Sequence, residues 1–190
     1  ENKASWITSG SDLILNDDAT IQMDQDLTVS SISGDHNLFI TGTGTLTVTG
    51  DMDVLSVTID TTSATVNGTI TVEDEIQVFS DYFYVYGGIQ AQNLARINSS
   101  HAFIAGSEYG ISCEEGNIEL NGSGGTLGIN VGAQKHALWA KNGSILLSGD
   151  ITCNITDALT YCVIAQQSVQ NNYGTYLNLT VTGGSGVIAN

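Results

Sequence analysis

The apolar residues of this chain recur in short alternating runs. Apolar and polar residues alternate over three to five positions, and Gly, Asn or Asp follows many of the runs. Examples are 13–15, 38–40, 46–48, 70–72, 118–120 and 177–179. The three- to four-residue spacing of an amphipathic helix is absent. Because alternation is the period of a half-buried strand, the pattern predicts an all-β protein built from many short strands.

Internal repetition indicates how these strands are arranged. A shift of 27 residues superposes 109–111 on 136–138 and 116–122 on 143–149, and both glycines and aliphatic residues keep their positions. A period in the twenties, with short strands and glycine-rich corners, is typical of a solenoid whose coils stack on one another. We therefore predict an all-β, single-domain right-handed parallel β-helix over 1–190 with rungs of 22–27 residues. An irregular β-sandwich is the main alternative.

The N-terminal half contains a second family of repeats. Segment 20–27 aligns with 47–54 at the same shift of 27, and 69–76 follows at a shift of 22. All three read Thr, aliphatic, any, any, acid, any, acid, aliphatic. Segment 79–105 fits the period least well, and we interpret it as an enlarged loop or a non-standard rung. The absence of Pro agrees with a solenoid, because nearly every backbone N–H is needed by a neighbouring rung.

Composition and charge narrow the classes of partner. A hydrophobic content of 41% argues against a disordered chain. The formal net charge of -16 would repel nucleic acid and anionic membranes, so we expect no nucleic-acid partner. The apolar runs are too short to span a bilayer, so we expect no membrane insertion. The first residues lack the basic and apolar regions of a signal peptide, and we interpret the chain as a mature or excised portion of a secreted or cell-surface protein.

Acidic residues occupy matching positions in the N-terminal repeats. A solenoid that stacks these repeats would bring six carboxylates into two rows, where like charges repel by about 1 kcal/mol per pair at about 4 Å in water. Oxygen-only clusters of this kind suit calcium, which we predict as a cofactor. The alternative is that these acids only favour the turns that follow strands. The predicted metal ligands are Asp24, Asp26, Asp51, Asp53, Glu73 and Glu75.

A row of tyrosines is the first candidate ligand-binding feature. If Phe83 and Val85 point into the core, strand alternation places Tyr82, Tyr84 and Tyr86 in one outward row, about 6.7 Å apart. Aromatic rings that carry hydroxyl groups suit stacking on sugar rings and hydrogen bonding to their edges. The alternative is an inverted register that buries the tyrosines.

A single tryptophan is the second candidate. Ile111 and Leu138 align at the shift of 27, and we expect both to point inward. Strand alternation then turns Trp139 outward. Threonines at alternate positions of 41–49 are interpreted as ordinary outward-facing strand residues.

The texture of segment 20–50 resembles a known family. Its acid-flanked Leu27-Thr28-Val29 and its Thr-Gly-rich run over 38–48 resemble the carbohydrate-binding parallel β-helix family in extracellular proteins of clostridia-like bacteria. The rungs 116–122 and 143–149 extend the likeness over most of the chain. The resemblance implies binding to a plant-wall polysaccharide, cellulose-like or pectin-like, with calcium in the structure.

These observations leave three functional hypotheses, in order of preference. The first is a non-catalytic polysaccharide-binding module, and the second is a bacterial surface adhesin or a stalk segment. The third is a polysaccharide lyase or hydrolase. Catalysis has little support, because the chain has four Lys and Arg residues and none stands beside a repeated carboxylate pair. The sequence does not determine an oligomeric state.

Overall fold

The structure is a computed structural model that describes residues 2–132, 136–156, 161–171, 177–182 and 185–189. Within those residues, eighteen strands join in one sheet whose registers are all parallel, and one short 3-10 helix covers Ala4–Trp6. The strands are β1 (Asn2–Lys3), β2 (Asp12–Ile14), β3 (Ala19–Met23), β4 (Leu27–Val29), β5 (Ser31–Val48), β6 (Met52–Val66), β7 (Ile70–Val72), β8 (Glu75–Val85), β9 (Ile89–Ala91), β10 (Leu94–Ile104), β11 (Tyr109–Cys113), β12 (Asn117–Gly132), β13 (His136–Ala140), β14 (Ile145–Thr156), β15 (Tyr161–Ala165), β16 (Val169–Asn171), β17 (Leu177–Thr182) and β18 (Ser185–Ala189).

The strands coil into a solenoid with three faces. Face A contains β2, β7, β9, β11, β13, β15 and β18, together with the starts of β5 and β6. Face B contains β1, β3 and β16, the middle of β5 and β6, and the starts of β8, β10, β12 and β14. Face C contains β4, β17 and the ends of the long strands. This arrangement confirms the predicted parallel β-helix.

Rung length differs between the two halves of the solenoid. Ladder partners stand 18 to 20 residues apart in the N-terminal half, as in the contacts between Ser30 and Gly10 and between Thr69 and Asp51. After β9 the spacing increases, and it reaches 27 residues between Ser144 and Asn117. The predicted length of 22–27 residues therefore describes the C-terminal rungs only. The alignment of 20–27 with 47–54 is wrong, because β3 pairs with 38–42.

Segment 79–105 is neither a loop nor an irregular rung. It contains the end of β8 and all of β9 and β10, and β8 pairs with β10 over ten ladder positions at a constant register. Its poor fit to a 27-residue period follows from its shorter rungs. The interpretation of 79–105 as an enlarged loop or a non-standard rung is therefore wrong.

The core is a set of aliphatic ladders along the axis. Apolar side chains from successive rungs stack on one another, and the buried residues form a single cluster from Ala4 to Ala165. One face B ladder contains Ile21, Ile40, Ile59, Val78, Ile97, Leu120 and Leu147. Ile111 and Leu138, which were predicted to point inward, are both buried, and so are the aliphatic residues of the two aligned repeats, Ile118, Leu120, Ile145 and Leu147. No helix in the described ranges is long and apolar enough to cross a membrane.

The corners between faces B and C are tight because buried hydroxyl groups close them. Thr61 and Ser99 point inward at the ends of their face B segments and are nearly or fully buried. The Thr61 hydroxyl donates to the Ser63 carbonyl at 3.2 Å, and the Ser99 hydroxyl donates to the His101 carbonyl at 3.1 Å. Each bond spans two residues and gives the buried hydroxyl a partner at the corner. The residue between the two bonded residues, such as Thr62 between Thr61 and Ser63, projects outward.

Candidate functional site

The tyrosine row lies on the outside of face C, as predicted. Phe83 and Val85 are fully buried, whereas Tyr82 is 44% and Tyr86 is 52% exposed and Tyr84 is half-buried. The alternative register, with the tyrosines inside, is therefore excluded.

The packing around Phe83 explains why the strand takes this register. In the ladder through the core, Phe83 lies between Ala64 of the preceding rung and Ala102 of the following one. Two small neighbours leave the space that one phenyl ring fills, and dense packing of this kind favours a single arrangement. A shift by one residue would bury tyrosine hydroxyls in an apolar ladder and expose Phe83.

The Tyr82 ring stacks along the solenoid axis on the ring of the next rung. Tyr82 and its ladder partner His101 have ring centroids 5.1 Å apart and planes inclined by 14°. That separation is close to the spacing of adjacent strands, about 4.8 Å, so the ring faces point along the axis and their edges point to solvent. Tyr86 contacts Phe103 in a tilted arrangement, with ring centroids 5.5 Å apart and planes inclined by 46°.

The rungs that precede the tyrosines carry much smaller side chains. Ser63 and Thr65 are the ladder partners of Tyr82 and Tyr84, and Asn67 precedes Tyr86 at the same corner. Thr45, Thr47 and Thr49 occupy the rung before them. The tyrosine rings therefore rise as a wall beside a floor of hydroxyl and amide groups. We call this feature the ledge: its wall is Tyr82, Tyr84 and Tyr86, and its floor is Thr45, Thr47, Thr49, Ser63, Thr65 and Asn67.

The chemistry of the ledge suits a polyhydroxylated ligand. The wall presents the face of the Tyr82 ring that is turned away from His101, and Tyr84 and Tyr86 extend the same outward row. The floor presents hydroxyl groups, each of which is both a donor and an acceptor. Because these side chains project from a continuous sheet, they need little ordering when a ligand binds.

Trp139 belongs to a separate aromatic cluster on face A. It is half-buried and lies beside Ser112 in the ladder. Its ring stacks on Tyr109 at 4.9 Å with planes inclined by 16°, and the Lys141 ammonium lies 5.7 Å from the ring centroid. Lys141 is also ion-paired with Glu114, which raises the pKa of the lysine. The four predicted ligand-binding residues are therefore divided between two faces.

The six predicted calcium ligands do not form a ladder. Asp24 and Asp26 lie at the corner between faces B and C, and Asp51 lies at the corner between faces C and A. Asp53 lies on the outside of face A, in the ladder that contains Ser33 and Thr71. Glu73 and Glu75 flank the corner between faces A and B. The stacking of six carboxylates is therefore wrong, because it rested on the incorrect 27-residue register.

Three of these acids instead accept hydrogen bonds from an adjacent rung. Asp26 accepts from the backbone N–H of Thr45 at 2.7 Å, and Asp51 accepts from that of Thr69 at 2.8 Å. Asp24 accepts from both the backbone N–H and the hydroxyl of Ser5, which lowers the pKa of its carboxyl. Across the described ranges, no group of three or more His, Cys, Asp or Glu residues is arranged to hold a metal ion.

Sequence reasoning missed His101, Phe103 and Tyr109, which complete the two aromatic clusters. The first two become visible at a shift of 19 residues, where they align with Tyr82 and Tyr84. The third aligns with His136 at the shift of 27, in a ladder next to that of Trp139.

The comparisons with known proteins gave no relative. No protein-family model, no curated protein and no solved structure matches this chain.

Proposed function

We propose that the protein is a non-catalytic extracellular module that binds a plant-wall polysaccharide along the ledge of face C. The observation that carries the proposal is the outward tyrosine row beside a floor of hydroxyl groups. Aromatic side chains with polar rims are suited to sugars, which present both an apolar face and hydroxyl edges.

The ledge also favours a particular direction for the polymer. Its wall and floor both run along the strands, and alternate residues of a strand are spaced by about 6.7 Å. A chain lying parallel to Tyr82, Tyr84 and Tyr86 contacts the ring faces on one side and the Thr65 hydroxyl below. An extended polymer gains several such contacts together.

Charge selects among polysaccharides. With a net charge of -16, the protein repels acidic polymers, whereas a neutral glucan approaches without this penalty. A pectin-like polymer requires a bridging cation such as calcium between carboxylates on both partners. We therefore place the neutral glucan first and the calcium-bridged pectin second.

The side chains of Arg96 and Lys141 form ion pairs, which supports a non-catalytic role. The Arg96 guanidinium donates to Glu119 at 2.7 Å and to Gln77 at 3.2 Å, and the bond to Glu119 raises the pKa of the arginine. Lys141 is paired with Glu114. A lyase needs a base that can accept a proton from the sugar, and cations whose pKa is raised are poor bases.

The experiment is affinity electrophoresis in gels that contain hydroxyethylcellulose or polygalacturonate, together with sedimentation on insoluble cellulose. We expect retardation by hydroxyethylcellulose that survives chelation and moderate salt, and retardation by polygalacturonate that requires calcium. Absence of retention on all three polymers, with calcium present, contradicts the proposal and favours an adhesin or stalk segment.

A further inference from the structure

A depression of about 330 Å³ lies at the corner between faces B and C, beside the ledge. We call it the corner depression. Its lining includes Gly42, Asp60, Thr62, Phe79, Asp81 and Asn98. Asp60, Phe79 and Asn98 are consecutive partners in one outward ladder of face B, and Asp81 is a projecting corner residue.

The depression exists because its inner side is built from small residues. Gly42, Thr61 and Ser80 follow one another in a single inward ladder. Gly42 has a φ of +127°, and a β-carbon there would lie 2.7 Å from the Met23 carbonyl oxygen, so no other residue fits. The Thr61 and Ser80 hydroxyls lie 3.4 Å apart and are buried.

The groups around the rim have complementary chemistry. Phe79 is 39% exposed and supplies an apolar surface, while the exposed Asp60 and Asp81 supply carboxylate oxygens. Carboxylates accept hydrogen bonds with both oxygens, so each can bind two neighbouring hydroxyl groups. The buried Oδ1 of Asn98 has no hydrogen-bond partner among the described residues, so its amide gains a bond by rotating toward a ligand donor.

The corner depression is continuous with the ledge. Asp81 directly precedes Tyr82 of the wall, and Thr62 directly precedes Ser63 of the floor. A polymer that lies along the ledge therefore reaches the depression at the N-terminal end of the tyrosine row.

We propose that the corner depression binds a single uncharged sugar unit of the polymer. Phe79 packs on the apolar face of that unit, and Asp60 and Asp81 accept hydrogen bonds from its hydroxyl groups. The inference rests on the proposed function, because the sugar unit belongs to the chain held on the ledge. Two carboxylates at the rim disfavour an acidic sugar.

The test is affinity electrophoresis in hydroxyethylcellulose with Asp60→Asn, Asp81→Asn and Phe79→Ala variants. Asp53→Asn is the matched control, because Asp53 is an exposed aspartate on face A, away from the depression. Tyr84→Ala reports on the ledge alone. Melting temperatures verify that each variant is folded.

We expect each of the three depression variants to weaken binding by about tenfold, with Asp53→Asn unchanged. Binding by all three within about twofold of wild type, while Tyr84→Ala binds more weakly, overturns the corner depression and leaves the ledge in place. If the wild-type protein is not retarded, or if neither set of variants weakens its binding, both proposals are overturned.

Discussion

The short N-terminal rungs and the longer C-terminal rungs differ in the side chains that link one corner to the next. In the short rungs, acid side chains such as Asp26 and Asp51 accept hydrogen bonds from the backbone of the next corner. In the longer rungs an asparagine takes this role, because Asn117 Oδ1 accepts from the backbone N–H of Ser144 at 2.9 Å. Glycine backbones approach each other closely in both regions, at Gly68 and Gly87 as at Gly116 and Gly143.

The two regions also differ in the side chains that surround their outward aromatic residues. The tyrosine row stands in the short-rung region, where Ser63 and Thr65 are the ladder partners of Tyr82 and Tyr84 in the preceding rung. Trp139 stands in the longer-rung region, where Tyr109 covers its ring and Lys141 lies nearby. Tyr82 therefore has a small ladder partner, Ser63, in the preceding rung, whereas Trp139 has the Tyr109 ring stacked on it and Ile164 as its ladder partner in the following rung.

The largest effect is expected when the support of the tyrosine row is removed. Phe83→Ala leaves a cavity between Ala64 and Ala102 that neither small neighbour can fill, so we expect a loss of about 3–5 kcal/mol in the free energy of unfolding. Chemical denaturation measures this loss. Phe103→Ala, on the outside of the same face, is the control and should cost much less. Equal losses would show that Phe83 does not determine the register.

Binding variants should separate the two aromatic regions. Tyr84→Ala removes the middle of the wall, and we expect it to weaken hydroxyethylcellulose binding by about 1–2 kcal/mol. Trp139→Ala should weaken binding less, by about twofold, because its ring is already covered. Affinity electrophoresis measures both, with melting temperatures as the control. A larger effect of Trp139→Ala would move the main binding site to face A.

How much of this could be predicted from the sequence also differs between the regions. The 27-residue period was visible because 116–122 and 143–149 share glycines and aliphatic residues, and their ladder was predicted correctly. The 19-residue period was hidden because ladder partners such as Val57 and Ile76 share only apolar character. The acids of 20–27 and 47–54 then matched by coincidence, since corner acids occur on different faces.

The site was predictable to the extent that it depends on one strand. Alternation put Tyr82, Tyr84 and Tyr86 on one side of the strand and left two registers open, and the burial of Phe83 and Val85 decides between them. The stacking of Tyr82 on His101 was not predictable, because it depends on the register with the next rung. The corner depression is lined by residues from four successive rungs and was missed for the same reason.

Low pH should weaken the hydrogen bonds that corner carboxylates accept in the short rungs, such as those of Asp24. The Asp24 carboxyl has its pKa lowered below 3.8 by the hydrogen bonds from Ser5. Its contribution to stability is therefore present above that ordinary value and disappears as the pH falls through the lowered pKa in the folded state. Asp24→Asn should lower the melting temperature at neutral pH and should match wild type in strong acid. A difference that persists unchanged in acid would contradict this role.

Calcium should have the smallest effect. Because the six predicted ligands lie at separate corners and on face A, we expect calcium to stabilise the protein weakly, by reducing the self-repulsion of the -16 charge. Calorimetry of metal-stripped protein should show a small rise in melting temperature that magnesium reproduces. A saturable rise at micromolar calcium, absent with magnesium, would reveal a specific site instead.

The most direct test of the ledge is aromatic NMR of the protein titrated with cellohexaose, with ring signals assigned through single Tyr→Phe variants. Binding along the wall predicts progressive shifts in the signals of Tyr82, Tyr84 and Tyr86 and much smaller shifts in those of Tyr109 and Trp139. Shifts confined to Tyr109 and Trp139, or no shifts at saturating cellohexaose, would contradict the account.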